Sequence, residues 1–177
     1  PGPLLPGRKL SIASKLLGGE RALRILTPSG YELSQSTRFP VLYVLETAKP
    51  LDRASTATTT LAQNQFGPQM IVVHVSGVPT AKDGAAYAKF VSDELQPWMK
   101  REYRTAPFNV LVGPAEVLSA TSAFRAEVLA GADQSVRASF AGKQQPASQS
   151  ADPHLALGEG LKWIFDGWTL PDIATLA

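Results

Sequence analysis

The chain has 177 residues, of which 44% are hydrophobic and 18% charged, enough apolar material for one domain with a real core and too much for intrinsic disorder. Its 17 Lys and Arg against 15 Asp and Glu leave a net charge of +2 with no concentrated basic face, which argues against nucleic acid as a partner. Cysteine is absent, so disulfide scaffolds, thiolate metal sites and cysteine nucleophiles are excluded together.

In chain order, Pro1-Gly2-Pro3 opens on nothing like a charged leader followed by an apolar run, and residues 1–20 read as a partly extended N-terminal segment of a single 177-residue domain. From Arg21 to Leu26 polar and apolar residues alternate as in a half-exposed strand, and Pro28-Ser29-Gly30 turns the chain. Val41-Leu42-Tyr43-Val44-Leu45 and Met70-Ile71-Val72-Val73-His74-Val75 are continuous β-branched and aromatic runs, the pattern of strands buried on both faces of a parallel sheet. Such runs are far shorter than the roughly 18–20 residues of a membrane helix, so membrane insertion is not expected. Compartment is left open, periplasmic or secreted as readily as cytoplasmic.

Parallel strands need a crossover, and Tyr87, Phe90, Val91, Leu95, Trp98 and Met99 recur at helical spacing behind an N-cap at Asp83. Pro97 is expected to kink or shorten this helix. Val110-Leu111-Val112 reads as the next buried strand, residues 122–129 as a short helix and residues 136–140 as another strand. Asp152 before Pro153 caps a final helix whose stripe is Leu157, Leu161, Ile164, Phe165 and Trp168. This alternation predicts a three-layer α/β domain around a mostly parallel central sheet.

Four segments carry a resemblance. They are Leu26-Thr27-Pro28-Ser29-Gly30-Tyr31 ahead of the run from Phe39 to Leu45; Met70-Ile71-Val72-Val73; Phe90 through Glu94-Leu95-Gln96-Pro97-Trp98 to Tyr103-Arg104-Thr105; and Gly160-Leu161-Lys162-Trp163-Ile164-Phe165. In this order they resemble the putative esterase family of α/β-hydrolases, which includes esterase D and the enterochelin esterases. The resemblance implies a Gly-x-Ser-x-Gly turn after the strand ending at Val112, where a serine hydroxyl is lifted out of the sheet. This chain reads Gly113-Pro114-Ala115-Glu116-Val117 there, placing Ala115 at the nucleophile position and a β-branched residue where the turn wants glycine.

The family's Asp-Gly after the strand of Val41 to Leu45 shapes the oxyanion hole, and here it is Glu46-Thr47. A family histidine before the last helix matches Gln149 when counted back from Pro153, and Gln144 or Gln145 when aligned from the preceding strand; glutamine takes no proton from a hydroxyl. Only 23 residues separate Val112 from Val136, too few for the strands and the acid that the family carries in this interval. The resemblance therefore implies that Thr47, Ala115 and Gln149 are degenerate positions of a shortened, catalytically inactive relative.

Other chemistry-bearing residues have plainer readings. His74 sits inside a buried run and reads as a core histidine, and His154 as a surface residue at a helix start. Ser119 and Ser122 are possible displaced nucleophiles, with N-capping the more usual role; Glu116 reads as a solvated loop carboxylate, and Trp98, Trp163 and Trp168 as packing residues. No cofactor or metal is implied. The expected role is a structural or protein-binding subunit, contacting a protein partner or a second copy between Gly113 and Gly142, where the shortening uncovers the sheet. A small-molecule module using the remnant cleft and an ester hydrolase with an unconventional site are the alternatives.

Overall fold

Two short strands folded on each other begin the architecture seen in the computed structural model, which describes residues 7–45, 59–60, 62–64, 67–77, 84–112, 161 and 165. Strands β1 (Arg8–Ser14) and β2 (Gly19–Leu26) form an antiparallel hairpin in register from Arg8 opposite Ile25 to Ser14 opposite Gly19. The turn between them closes through Gly18 and Gly19, whose φ values of 67° and 85° lie in the left-handed region that favours glycine. Within β2, Leu23 and Ile25 alternate into the core while Arg24 stays partly exposed, as the sequence alternation predicts. Strand β1 lies in the stretch read only as extended.

Strands β3 (Phe39–Leu45), β4 (Ile71–Val75) and β5 (Thr105–Val112) complete a sheet of order β1-β2-β4-β3-β5. The pairing of β2 with β4 is antiparallel, and those of β3 with β4 and with β5 are parallel. The described sheet is thus mixed, with its parallel part formed by the continuous apolar runs and its antiparallel part added by the hairpin. The register between β3 and β5 slips between Phe39 and Val41, at Pro40, which has no N–H to give to a ladder. Pro107 stands in the same irregular stretch of β5, which begins already at Thr105, earlier than the run at Val110 suggests.

A continuous helical segment leads from β4 to β5: helix α1 (Gly84–Lys89), a π-helical turn (Phe90–Leu95) and helix α2 (Gln96–Glu102). Of the two effects expected of Pro97, a kink or a shortening, the shortening does not occur: the segment runs on to Glu102. The widened turn in front of the proline, in which the Gln96 N–H donates to the Val91 carbonyl, makes room for the pyrrolidine ring that would clash with a carbonyl in an unbroken α-helix. The segment ends where the Tyr103 N–H reaches the Met99 carbonyl at 2.9 Å and the backbone turns extended.

Tyr87, Phe90, Val91, Leu95 and Met99 on this segment pack with Leu23, Ile25, Val41, Tyr43, Leu45, Ile71, Val73 and Val75 in one core cluster. By strand alternation Leu42, Val44, Val72 and His74 face the other side of the sheet, and they are equally buried. Burial on both faces is what a layered α/β domain requires. Leu161 and Phe165, two members of the expected last stripe, are buried, and the Phe165 N–H donates to the Leu161 carbonyl at 3.0 Å. The proposed cap at Asp83, the helix at 122–129 and the strand at 136–140 lie outside the described residues.

Candidate functional site

Because β3, β4 and β5 run parallel, their carboxyl ends share one edge of the sheet: Leu45 pairs with Val75, and Val44 with Val112. The chain leaves β3 toward β4 on one side, whereas β5 lies on the other. The crevice outside the ends of β3 and β5 is therefore where an open α/β sheet binds its ligand.

The residues that continue from these two ends include the positions singled out by sequence, Thr47 after β3 and Ala115 after β5. Both lie outside the described residues, as do Gln149, Glu116, Ser119, Ser122, His154, Trp163 and Trp168. The described structure supplies the frame, two adjacent parallel strands ending side by side, and not the side chains that would act between them.

Two residues with sequence readings can be located. His74 lies one residue before the end of β4, opposite Arg24 of β2 and Val44 of β3, with 0% of its surface exposed. A side chain so enclosed is not available to a ligand at the sheet edge. Trp98 packs against the core cluster with its ring 6.1 Å from that of Tyr103, a packing residue. Tyr43, buried in β3, has its phenol pushed far above its ordinary pKa by loss of solvent, so it stays protonated.

Two features were not legible in the sequence. The first is a cavity of about 650 Å³ on the carboxyl side of β4, bounded by Leu16 and Leu17 of the hairpin turn, Arg21 of β2, Ser76 and Gly77 after β4, and Tyr87 of α1. The second is a carboxylate beside it. Glu94 of the π-helical turn accepts hydrogen bonds on Oε1 from the Lys15 N–H at 2.9 Å and the Leu16 N–H at 3.2 Å. Desolvation pushes its carboxyl up, but the Ser14 hydroxyl, those two backbone donors and the Lys15 charge outweigh it and hold Glu94 below the ordinary glutamate range.

A further cavity of about 480 Å³ lies at the opposite, amino edge of β3 and β4, with Pro28, Phe39, Pro40 and Met70 in its wall. Among the described residues no cluster of His, Asp and Glu could hold a metal ion, and no helix is long and apolar enough to cross a membrane.

The fold has solved counterparts. The chain is similar to an IroE-like serine hydrolase from Shewanella oneidensis, with 23% identity and a TM-score of 0.52 over 60% of this chain and 42% of that one. It is similar to a CE1 ferulic acid esterase from Anaeromyces mucronatus solved with ferulic acid, with 18% identity and a TM-score of 0.54 over 67% and 52%. A third is the enterochelin esterase of Shigella flexneri, with 19% identity and a TM-score of 0.54 over 70% and 34%. At these identities the likeness is one of fold, an α/β-hydrolase-like domain, and the chain spans about a third to a half of the length of these structures. None of the curated proteins matches the chain at a significant level. The model of the family described as Putative esterase matches residues 14–123, from the end of β1 past the end of β5, and since that is more than half of the chain, the chain belongs to this family.

Proposed function

We propose that this chain is a non-hydrolytic member of the esterase family that works as a protein-binding or structural domain. The observation that carries the reading is the sequence after β5: in a family whose nucleophile turn follows this strand, the position reads Ala115, and a methyl group cannot attack an ester carbonyl. Gln149 in place of the base and Glu46-Thr47 in place of the oxyanion turn support it, since each removes a separate part of acyl transfer. A partner surface between Gly113 and Gly142 follows from the short interval after β5, and native purification with identification of copurifying chains tests it.

The second reading is ester hydrolysis, favoured by family membership itself and by structural likeness to esterases of ferulic acid and enterochelin. A short-chain chromogenic ester and a serine-reactive fluorophosphonate separate the two. The non-hydrolytic reading expects background turnover and no covalent label. Turnover that disappears in Ser119→Ala or Ser122→Ala would establish the hydrolase instead.

A further inference from the structure

The 650 Å³ cavity has two walls that belong to different parts of the chain, the hairpin turn with Leu16 and Leu17 and the start of the helical segment with Tyr87. Much of its polar lining is hydrogen-bonded within the protein, although the buried Arg21 Nε has no partner among the described residues. Arg21 donates from Nη1 to the Glu20 carbonyl and from Nη2 to the Leu17 carbonyl, both at 2.9 Å, and the Tyr87 hydroxyl donates to the Gly77 carbonyl. The way the turn is held sets it apart.

Inside the hairpin the Leu17 N–H donates to the Ser14 hydroxyl at 2.9 Å. From outside the hairpin, Glu94 takes the next two donors, those of Lys15 and Leu16. Glu94 sits on the same helical segment that supplies the opposite wall, so one carboxylate ties the two walls together. Beyond this tie Leu17 packs against the core cluster and its carbonyl is held by Arg21, while the tip is loose: Leu16 is 45% exposed, and a Cβ added to Gly18 or Gly19 would meet nothing within 4 Å. Two charge-assisted hydrogen bonds are strong when made, yet once they are broken the backbone donors face water rather than a dry core. Such a segment belongs to the low-stability end of local opening.

We propose that the β1–β2 turn is a flap over this cavity and that Glu94 is its latch. With the latch closed, Leu16 and Leu17 form the cavity wall; with it released, the turn swings on the hairpin and the apolar side chains around the cavity meet solvent. Glu94 is a positioning residue for the turn.

Amide hydrogen exchange on the whole 177-residue chain tests this at neutral pH. In Glu94→Gln and Glu94→Ala, exchange at Lys15 and Leu16 rises by at least about tenfold, well beyond any rise at Val72 and Val73 of β4, and binding of an anilinonaphthalene sulfonate dye increases. Unchanged exchange at the turn, or acceleration of β4 by the same factor, overturns the proposal. Should Glu94→Ala fail to fold, Glu94→Asp, one methylene shorter, is expected to give an intermediate acceleration confined to the turn, and its absence overturns the proposal equally.

Discussion

The guanidinium carbon of Arg104 lies 3.9 Å above the centre of the Tyr31 ring, and the Arg104 backbone N–H donates to the Tyr31 hydroxyl at 3.0 Å. The same guanidinium donates to the Tyr31 carbonyl and, at 3.2 Å, to Gln35 Oε1. Arg104 thus holds the loop before β3 against the start of β5, within an aromatic group in which Tyr31 also meets Phe39 and Tyr103. Tyr31→Phe keeps the ring and removes one acceptor, with an expected loss of about 1–2 kcal/mol; Arg104→Lys loses the planar stack and the forked donation, with a loss of similar size. A double-mutant cycle by urea unfolding should show nearly additive losses, because Tyr31→Phe removes the acceptor of the Arg104 backbone N–H, whereas Arg104→Lys removes side-chain contacts to a ring and a carbonyl that Phe retains.

His74 offers a second stability test. Replacing it with Gln or Phe is expected to lower stability by about 1–3 kcal/mol, since the site is fully enclosed and shaped for an imidazole. Any partner binding should fall only in proportion to the folded fraction. Loss of binding at an unchanged melting temperature would contradict a core role.

Acid should act on Glu94. Its carboxyl is held below the unfolded value, so its contribution is complete above roughly pH 5 and fades as pH falls through the lower, folded pKa. Glu94→Gln is expected to be less stable than the original chain at neutral pH, and the gap between them should narrow below about pH 4. Denaturant titrations at a series of pH values measure that gap, and one that stays constant to pH 3 would show that this carboxylate carries no linked proton.

On the non-hydrolytic reading, Ala115→Ser alone is expected to give no ester turnover above background, because a serine without a base or a shaped turn is a weak nucleophile. Ala115→Ser combined with Gln149→His should also stay there. Rapid hydrolysis of a chromogenic ester by the single variant would show that the remaining machinery is intact.

What the sequence made legible follows from what each segment buries. The runs in β3 and β4 stood out because both faces are covered, leaving no polar residue to interrupt them except His74. β1 is hard to read because its inward face carries only half-buried Leu10 and Ile12 and a buried but polar Ser14, among exposed neighbours. The start of β5 was hidden by Pro107, which ordinarily speaks against a paired strand. Pro97 does not shorten the helix because the local rule assumes α geometry, and the π-helical turn removes the clash. The contact of Glu94 with the hairpin turn joins residues 79 positions apart, and no local pattern announces it. The candidate catalytic positions came from resemblance alone, and Thr47, Ala115 and Gln149 lie outside the described residues.

The strand order has a consequence for how the sheet comes together. The hairpin of β1 and β2 closes locally, but its next neighbour is β4, with β3 beyond that and β5 on the far side of β3. During synthesis β3 emerges before either of its parallel neighbours, and its wholly apolar surface waits until the chain has passed Val112. Non-local parallel pairing of this kind is slow, because loop closure must come before any contact rewards it. The interval in which β3 stands unpaired is when this chain is most exposed to aggregation, and chaperone dependence during synthesis should fall once β5 has left the ribosome.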